Sequence, residues 1–281
     1  MSNIQITCDS TCDLSAEILQ KYGIVSLPLY VRIGDEEYLD GVSINSDTLF
    51  QKIRETGTLP KTSAISVGGY EDFWKPYLDA GKEIVHIDIS SQFSSCFQNA
   101  TIAAQESGRV YPVDSLNLST GSGLLAIEAA IMAENGKSAA EIVEALNEKR
   151  YKVNASFVID TMEYLAKGGR CSSVAAFAAG LIKLRLCIGV ADGKMDVAKK
   201  YRGKMSAVLC EYVRDRLSAT KDAELDRIFI TDSGVDEETF EKVKQTVLEC
   251  RPFAEVLHTR AGCTISSHCG PGTLGILFFE K

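Results

Sequence analysis

Between residues 83 and 149 the chain alternates two short, largely apolar runs, Glu83–Ile89 and Arg109–Val113, with longer amphipathic stretches. A strand that is apolar on both faces must be covered on both. Helices alternating with such strands therefore build a parallel sheet with helices on either side. The first run closes on Asp88 with Ser90 just beyond, and the second on Asp114-Ser115. The C-terminal ends of parallel strands are where loops gather ligands. The same spacing predicts helices over about 70–80, 95–107, 120–134 and 138–149.

Upstream, Ile4–Cys8 reads as a strand running into the polar turn Asp9-Ser10-Thr11-Cys12-Asp13, and Ser15 opens a short helix. Val25–Ile33 reads as one strand, joined through Gly34-Asp35-Glu36 to Tyr38-Leu39 as a hairpin. A helix follows from Asp47 to Glu55, then an open loop from Thr58 to Ser66. From Lys152 the texture changes. Ala155–Ile159 is strand-like, and Cys187–Val190 and Met195–Ala198 form a hairpin through Asp192-Gly193. Helices at about 204–219 and 237–250 alternate with strands Arg227–Thr231 and Ala254–His258, and Thr273–Phe279 closes the chain. The fold class is α/β with two packed domains. Residues 1–153 form an N-terminal domain with a mostly parallel sheet flanked by helices, and 154–281 a C-terminal mixed α/β domain.

A formal charge of -8 and the absence of a basic run argue against nucleic acid and anionic membrane as partners. The start has neither a charged n-region nor an apolar h-region, and Val174–Ile182 is about half a membrane span, so a cytoplasmic protein without membrane insertion is expected. Nine cysteines without a CxxC pair read as reduced thiols. Cys8 with Cys12, and His268 with Cys269, each lack the second ligand pair of a closed zinc site, so no metal is expected. Nucleotide-binding glycine motifs, HExxH and GxSxG are missing, and no cofactor is expected. His86 lies inside an apolar strand and reads as a core histidine, and His258 carries no motif. His268 is left as the credible base of an alternative reading, a serine-dependent hydrolase or a small α/β kinase.

Hydroxyls at turns are the distinctive feature. Asp9, Ser10 and Asp114 read as ordinary caps. Thr62-Ser63 follows Pro60, which favours an extended, accessible backbone, and Ser94-Ser95 sits at the start of a helix, where unpaired N–H groups favour an anion. Two hydroxyl loops facing one carboxylate make a mild anion site.

Taken in order, Asp9-Ser10-Thr11-Cys12-Asp13-Leu14, Pro60-Lys61-Thr62-Ser63, the serine segment Ile89–Ala100, Val113-Asp114-Ser115, Glu163-Tyr164-Leu165 with Gly168-Gly169-Arg170, Arg202-Gly203 and His268-Cys269-Gly270-Pro271-Gly272 span nearly the whole chain. In these segments the chain resembles the DegV family of bacterial fatty-acid-binding proteins. The resemblance implies a long-chain fatty acid as ligand, its carboxylate on Thr62 and Ser94 with Ser63 and Ser95 beside them, and its tail buried in the N-terminal domain and near the domain junction. It implies Arg202 and His268 near the carboxylate, and a fatty acid kinase as partner that converts the bound acid to acyl phosphate, with no complete catalysis by this chain. Two departures stand out. The family's Ser-Gly-Thr-Tyr-Gln is here Ser94-Ser95-Cys96-Phe97-Gln98, which predicts a drier and tighter pocket, and Lys183-Leu184-Arg185-Leu186 replaces a usual Lys-Pro pair. Val174–Gly180 is a candidate wall beside the tail. Burying about ten methylenes offers ~8 kcal/mol before association costs, so the tail supplies affinity while the head group needs donors to offset desolvation.

Overall fold

The computed structural model describes residues 3–175 and 184–281. Strands β1 (Ile4–Asp9), β2 (Val25–Leu27), β6 (Glu83–Asp88) and β7 (Val110–Asp114) form an all-parallel sheet in the order β2-β1-β6-β7. Beside it, β3 (Tyr30–Ile33), β4 (Glu36–Leu39) and β5 (Lys61–Ser63) make a small antiparallel sheet with β3 in the middle. The second half contributes β8 (Val153–Ile159), β9 (Leu184–Ala191), β10 (Lys194–Arg202), β11 (Ala223–Asp232), β12 (Glu255–Arg260) and β13 (Leu274–Glu280). These are ordered β10-β9-β8-β13-β11-β12, and β11–β12 is the one parallel pair, so this sheet is mixed. The predicted α/β architecture of two units, one with a parallel sheet and one with a mixed sheet, is the one the protein adopts.

Helices α1 (Ala16–Tyr22), α2 (Ser46–Thr56), α3 (Val67–Asp79), α4 (Cys96–Ala104), α5 (Thr120–Glu134) and α6 (Ala139–Lys149) belong to the first half, and α7 (Glu163–Gly168), α8 (Ser172–Ala175), α9 (Met205–Ala219), α10 (Glu237–Cys250) and α11 (Cys263–Cys269) to the second. Alternation along β6 explains the layering. Ile84 packs with Tyr70 and Trp74 of α3, while Val85 and Ile87 pack with α5 and α6. His86 is fully buried, Nδ1 2.8 Å from Thr7 Oγ1 and edge-on to Tyr70 and Trp74, a core histidine as its setting implied. Helix α5 is apolar on every side because it has a sheet on each: Leu124, Leu125 and Ile127 share one core with Ile6 and Val85 of the parallel sheet and with Phe229 and Leu277 of the mixed one. Helices α9 and α10 cover the far face of the mixed sheet. Among the described residues no helix is long and apolar enough to cross a membrane.

Three expectations need correction. Val25–Ile33 is not one strand. Pro28, which lacks an N–H, separates β2 in the parallel sheet from β3 in the antiparallel one. Thr62 and Ser63 are not on an open loop but in β5, where Thr62 pairs with Val31 and Ser63 with Tyr30. The segment Cys263–Cys269, to which sequence pattern assigned no element, is helix α11. Of the candidate wall Val174–Gly180, Val174 is buried in the core, while 176–180 and Lys183 lie outside the described residues.

Candidate functional site

A cavity of about 510 Å³, within the ~300–1,000 Å³ typical of small-molecule sites, draws its walls from β5, β8, β11 and β13, the loop after β6, and α11. Ile89, Leu118, Phe157, Leu165, Cys269 and Leu277 give it a buried apolar lining, interrupted by the buried polar residues Ser119, Thr231, Asp232, Ser233, Thr264 and Thr273. At its mouth stand Thr62, Ser63, Ser94, Ser95 and His268, so five of the six residues singled out from sequence line one space.

Each hydroxyl is held by its local structure. Strand β5 fixes Thr62, whose Oγ1 lies 2.9 Å from His268 Nε2. Ser94 accepts the backbone N–H of Cys96 (3.2 Å) and donates to Cys96 Sγ (3.1 Å), a weak acceptor that leaves the proton available to a better one. Asn99 of α4 donates to the Ile65 carbonyl at 2.7 Å and so ties the two hydroxyl segments together. Cys96 is buried and, like Phe97, does not line the cavity. The departures at these two positions thus act behind the wall rather than on it.

His268 rides on α11, a helix of seven residues anchored at its N-terminus by two buried carboxylates. Asp40 accepts the N–H groups of Cys263 (2.6 Å) and Thr264 (3.0 Å), and Asp13 accepts that of Gly262 (2.8 Å) and the Ser119 hydroxyl. Such a short helix is marginal alone, and these side-chain caps fix its position. Burial pushes the Asp13 carboxyl well above its usual range, and the nearby Asp40 adds to this. A side chain at Gly262 would meet both carboxylates, with Asp40 Oδ1 only 3.0 Å from its Cβ, which is why glycine stands there.

The imidazole has one partnered and one unpartnered nitrogen, since Nδ1 is buried without a hydrogen bond and faces Gly168. A buried N–H without an acceptor is rarer than a buried lone pair without a donor, so we assign the proton to Nε2, where it is donated to Thr62. The Thr62 hydroxyl proton is then free to point into the cavity mouth. Burial first, and the charge of Arg170 second, bring His268 down to about 4 from an ordinary 6.5. A neutral imidazole of such low basicity, with no carboxylate on Nδ1, orients a hydroxyl better than it deprotonates one.

This shift has a measurable consequence. Above pH 6.5 the ring is neutral in both folded and unfolded chains. As pH falls the unfolded chain takes up the proton first and the folded protein only near 4, so stability is lost over that window, by up to about 3 kcal/mol. Asp9, raised to about 6 by burial and by Asp88, loses its stabilising contribution in the other direction, as pH rises. The readout is therefore the difference between wild type and His268→Gln in urea unfolding at pH 7 and pH 5: the variant is expected to lose less stability on acidification.

Arg202 is not brought to this place. It is exposed at the end of the edge strand β10, opposite Leu184, and is not among the described residues that line the cavity. The guanidinium at the mouth is that of Arg170, exposed and braced by the Gly168 carbonyl at 2.6 Å. Gly168-Gly169-Arg170 was visible as a motif, but neither the role of Gly168, whose Cβ would lie 2.5 Å from His268 Nδ1, nor that of Arg170 could be read from it. Asp13 and Asp40 stand more than 200 residues from the helix they cap and gave no local signal. Among the described residues no group of His, Cys, Asp and Glu is placed to hold a metal ion, and all nine cysteines are free.

Fold and site together define a two-unit α/β protein with a cavity of mixed apolar and hydroxyl lining beside a neutral imidazole. The chain belongs to the DegV family, whose model, described as an uncharacterised protein of the DegV family, matches residues 3–281. It is 31% identical over 284 residues to a fatty acid-binding protein of Thermotoga maritima, covering 97% of this chain and 96% of that one. Among solved structures it resembles a DegV family protein from Thermus thermophilus described for fatty acid binding (TM-score 0.89, 30% identity, 100% of both chains). It also resembles a stearic acid-binding protein from Eubacterium ventriosum (TM-score 0.86, 26% identity, 99% and 98%).

Proposed function

We propose that the protein binds one long-chain fatty acid, with the tail in the apolar interior and the carboxylate on Thr62 and Ser94, and presents it to a fatty acid kinase without completing catalysis itself. The observation that carries the reading is a single cavity in which the buried apolar side chains Ile89, Leu118, Phe157 and Leu277 share the lining with Thr62, Ser63, Ser94 and Ser95, which are half-buried or exposed. The relatives described as binding fatty acids support it. Ser63 and Ser95 are exposed, so the carboxylate end remains reachable by a partner's active site while the tail is enclosed. His268 positions Thr62, and Arg170 supplies the cation that the developing acyl phosphate needs. Mass spectrometry of an organic extract of protein never exposed to detergent tests this. The expected result is about one fatty acid per chain, of roughly 14–18 carbons, a ligand of the size class such cavities hold. Extracts without stoichiometric lipid would overturn the proposal.

The head-group assignment makes its own prediction. Thr62→Ala or Ser94→Ala should weaken fatty-acid binding by roughly 1–2 kcal/mol each, since the carboxylate loses one of its donors. Titration with a fluorescent fatty acid measures it, and wild-type affinity in the double variant would move the carboxylate elsewhere.

A further inference from the structure

The wall of the cavity formed by α11 carries one hydroxyl that the carboxylate site does not use. Thr264, Ile265, His268 and Cys269 of α11 all line the cavity, the spacing of a single helical face, with Ala261 just before the helix. Thr264 is 5% exposed, its N–H is fixed by Asp40, and its Oγ1 is buried without a hydrogen-bond partner. The other buried hydroxyls that line the cavity are engaged: Thr231 with Thr120 and Thr259, Ser119 with Asp13, Ser233 with the Gly270 carbonyl, and Thr273 with the Cys269 carbonyl. A buried hydroxyl left alone is costly, and a valine of the same shape would line an apolar tail without that cost.

We infer that Thr264 forms a second polar subsite, which takes a hydroxyl or oxo group carried by the acyl chain close to its carboxylate. The inference rests on the fatty-acid reading and narrows its ligand class to 3-hydroxy and similarly substituted acids. Thr264 and His268 are one helical turn apart, ~6 Å along the axis. At about 1.5 Å per carbon–carbon bond that distance spans the first three to five carbons, which places the substituent near the head group and not at mid-chain. The Thr264 hydroxyl can donate to an oxo group or exchange a hydrogen bond with a hydroxyl. A site built with an unpaired hydroxyl favours the ligand that pairs it over one that leaves it bare.

The test compares hexadecanoic, 3-hydroxyhexadecanoic and 16-hydroxyhexadecanoic acids by competition binding to wild type, Thr264→Val and Thr264→Ser. The wild type is expected to prefer the 3-hydroxy acid over hexadecanoic acid. Thr264→Val should lower that preference roughly three- to tenfold, the worth of one buried hydrogen bond, with hexadecanoic acid bound as tightly as before or more tightly. Thr264→Ser, which keeps the hydroxyl, should retain the preference and serves if the valine variant fails to fold. An unchanged ratio in Thr264→Val, a preference for the 16-hydroxy acid, or exclusion of the 3-hydroxy acid while hexadecanoic acid binds would overturn the subsite alone. Binding of none of the three to wild type would overturn the fatty-acid reading and this inference with it.

Discussion

Asp40→Ala is expected to lower the stability of the folded protein by about 3 kcal/mol, measured as a shift of the urea unfolding midpoint at unchanged slope. The carboxylate is 3% exposed and accepts three hydrogen bonds, from the backbone of Cys263 and Thr264 and from the Ser10 hydroxyl at 3.1 Å. Alanine leaves the Cys263 and Thr264 N–H groups buried with nothing to accept them, each at a cost of about 1–3 kcal/mol before local relaxation, and removes the acceptor of the half-buried Ser10 hydroxyl. Asp40→Asn keeps one acceptor oxygen and should lose about half as much; equal losses would show that charge, not the number of acceptors, is what holds α11. The effect should reach the site, because α11 carries His268 to Thr62.

His268→Ala is expected to lower kinase-dependent phosphorylation of the bound acid by tenfold or more, about 1.4 kcal/mol or greater, while fatty-acid binding falls less. The ring is hydrogen-bonded to the Thr62 hydroxyl, and on the proposed reading it holds that hydroxyl toward the carboxylate, where charge would grow as an acyl phosphate formed. Gly168→Ala should reproduce much of the loss without removing any polar group, because its Cβ would lie 2.5 Å from His268 Nδ1 and force the ring away from Thr62. Arg170→Ala should impair phosphorylation more than Arg202→Ala, since Arg170 lines the cavity and Arg202 is not among its described lining. Phosphorylation and binding are to be measured on the same preparations with a cognate kinase. Equal losses in both would reduce His268 to an ordinary binding contact, and a larger effect from Arg202 would reverse the assignment of the cation.

Why the sequence showed some of this and hid the rest has physical reasons. The parallel sheet was legible because β6 and β7 are apolar on both faces and end in carboxylates, a pattern that only burial between helices explains. The hairpin through Asp192-Gly193 was legible because Gly193 occupies the left-handed region its turn requires. Helix α11 was not. Cys263, Thr264, Ser266 and Ser267 are poor helix formers, and the helix owes its existence to Asp13 and Asp40, which the fold brings from far away in sequence. β5 was hidden likewise, since three residues of edge strand carry no periodicity and take their conformation from β3. For the site, hydroxyls at turns and one histidine could be picked out by type. Which arginine joins them depends on tertiary placement, and Arg170 and Arg202 look equivalent until the chain is folded.

The burial of α5 between the two sheets sets a limit on how this protein can be divided or opened. Leu124, Leu125 and Ile127 belong to a core that also includes Phe229, Leu277 and Phe279 from the other end of the chain, and Thr120 is hydrogen-bonded to Thr231 at 2.7 Å. A fragment that stops after α6 would carry a greasy helix with one flank bare, a surface prone to self-association. A hinge that parted the sheets would expose the same flank to water. The helix thus acts as a keystone shared by both arches, and any opening of the cavity that keeps the core intact has to leave the keystone in place.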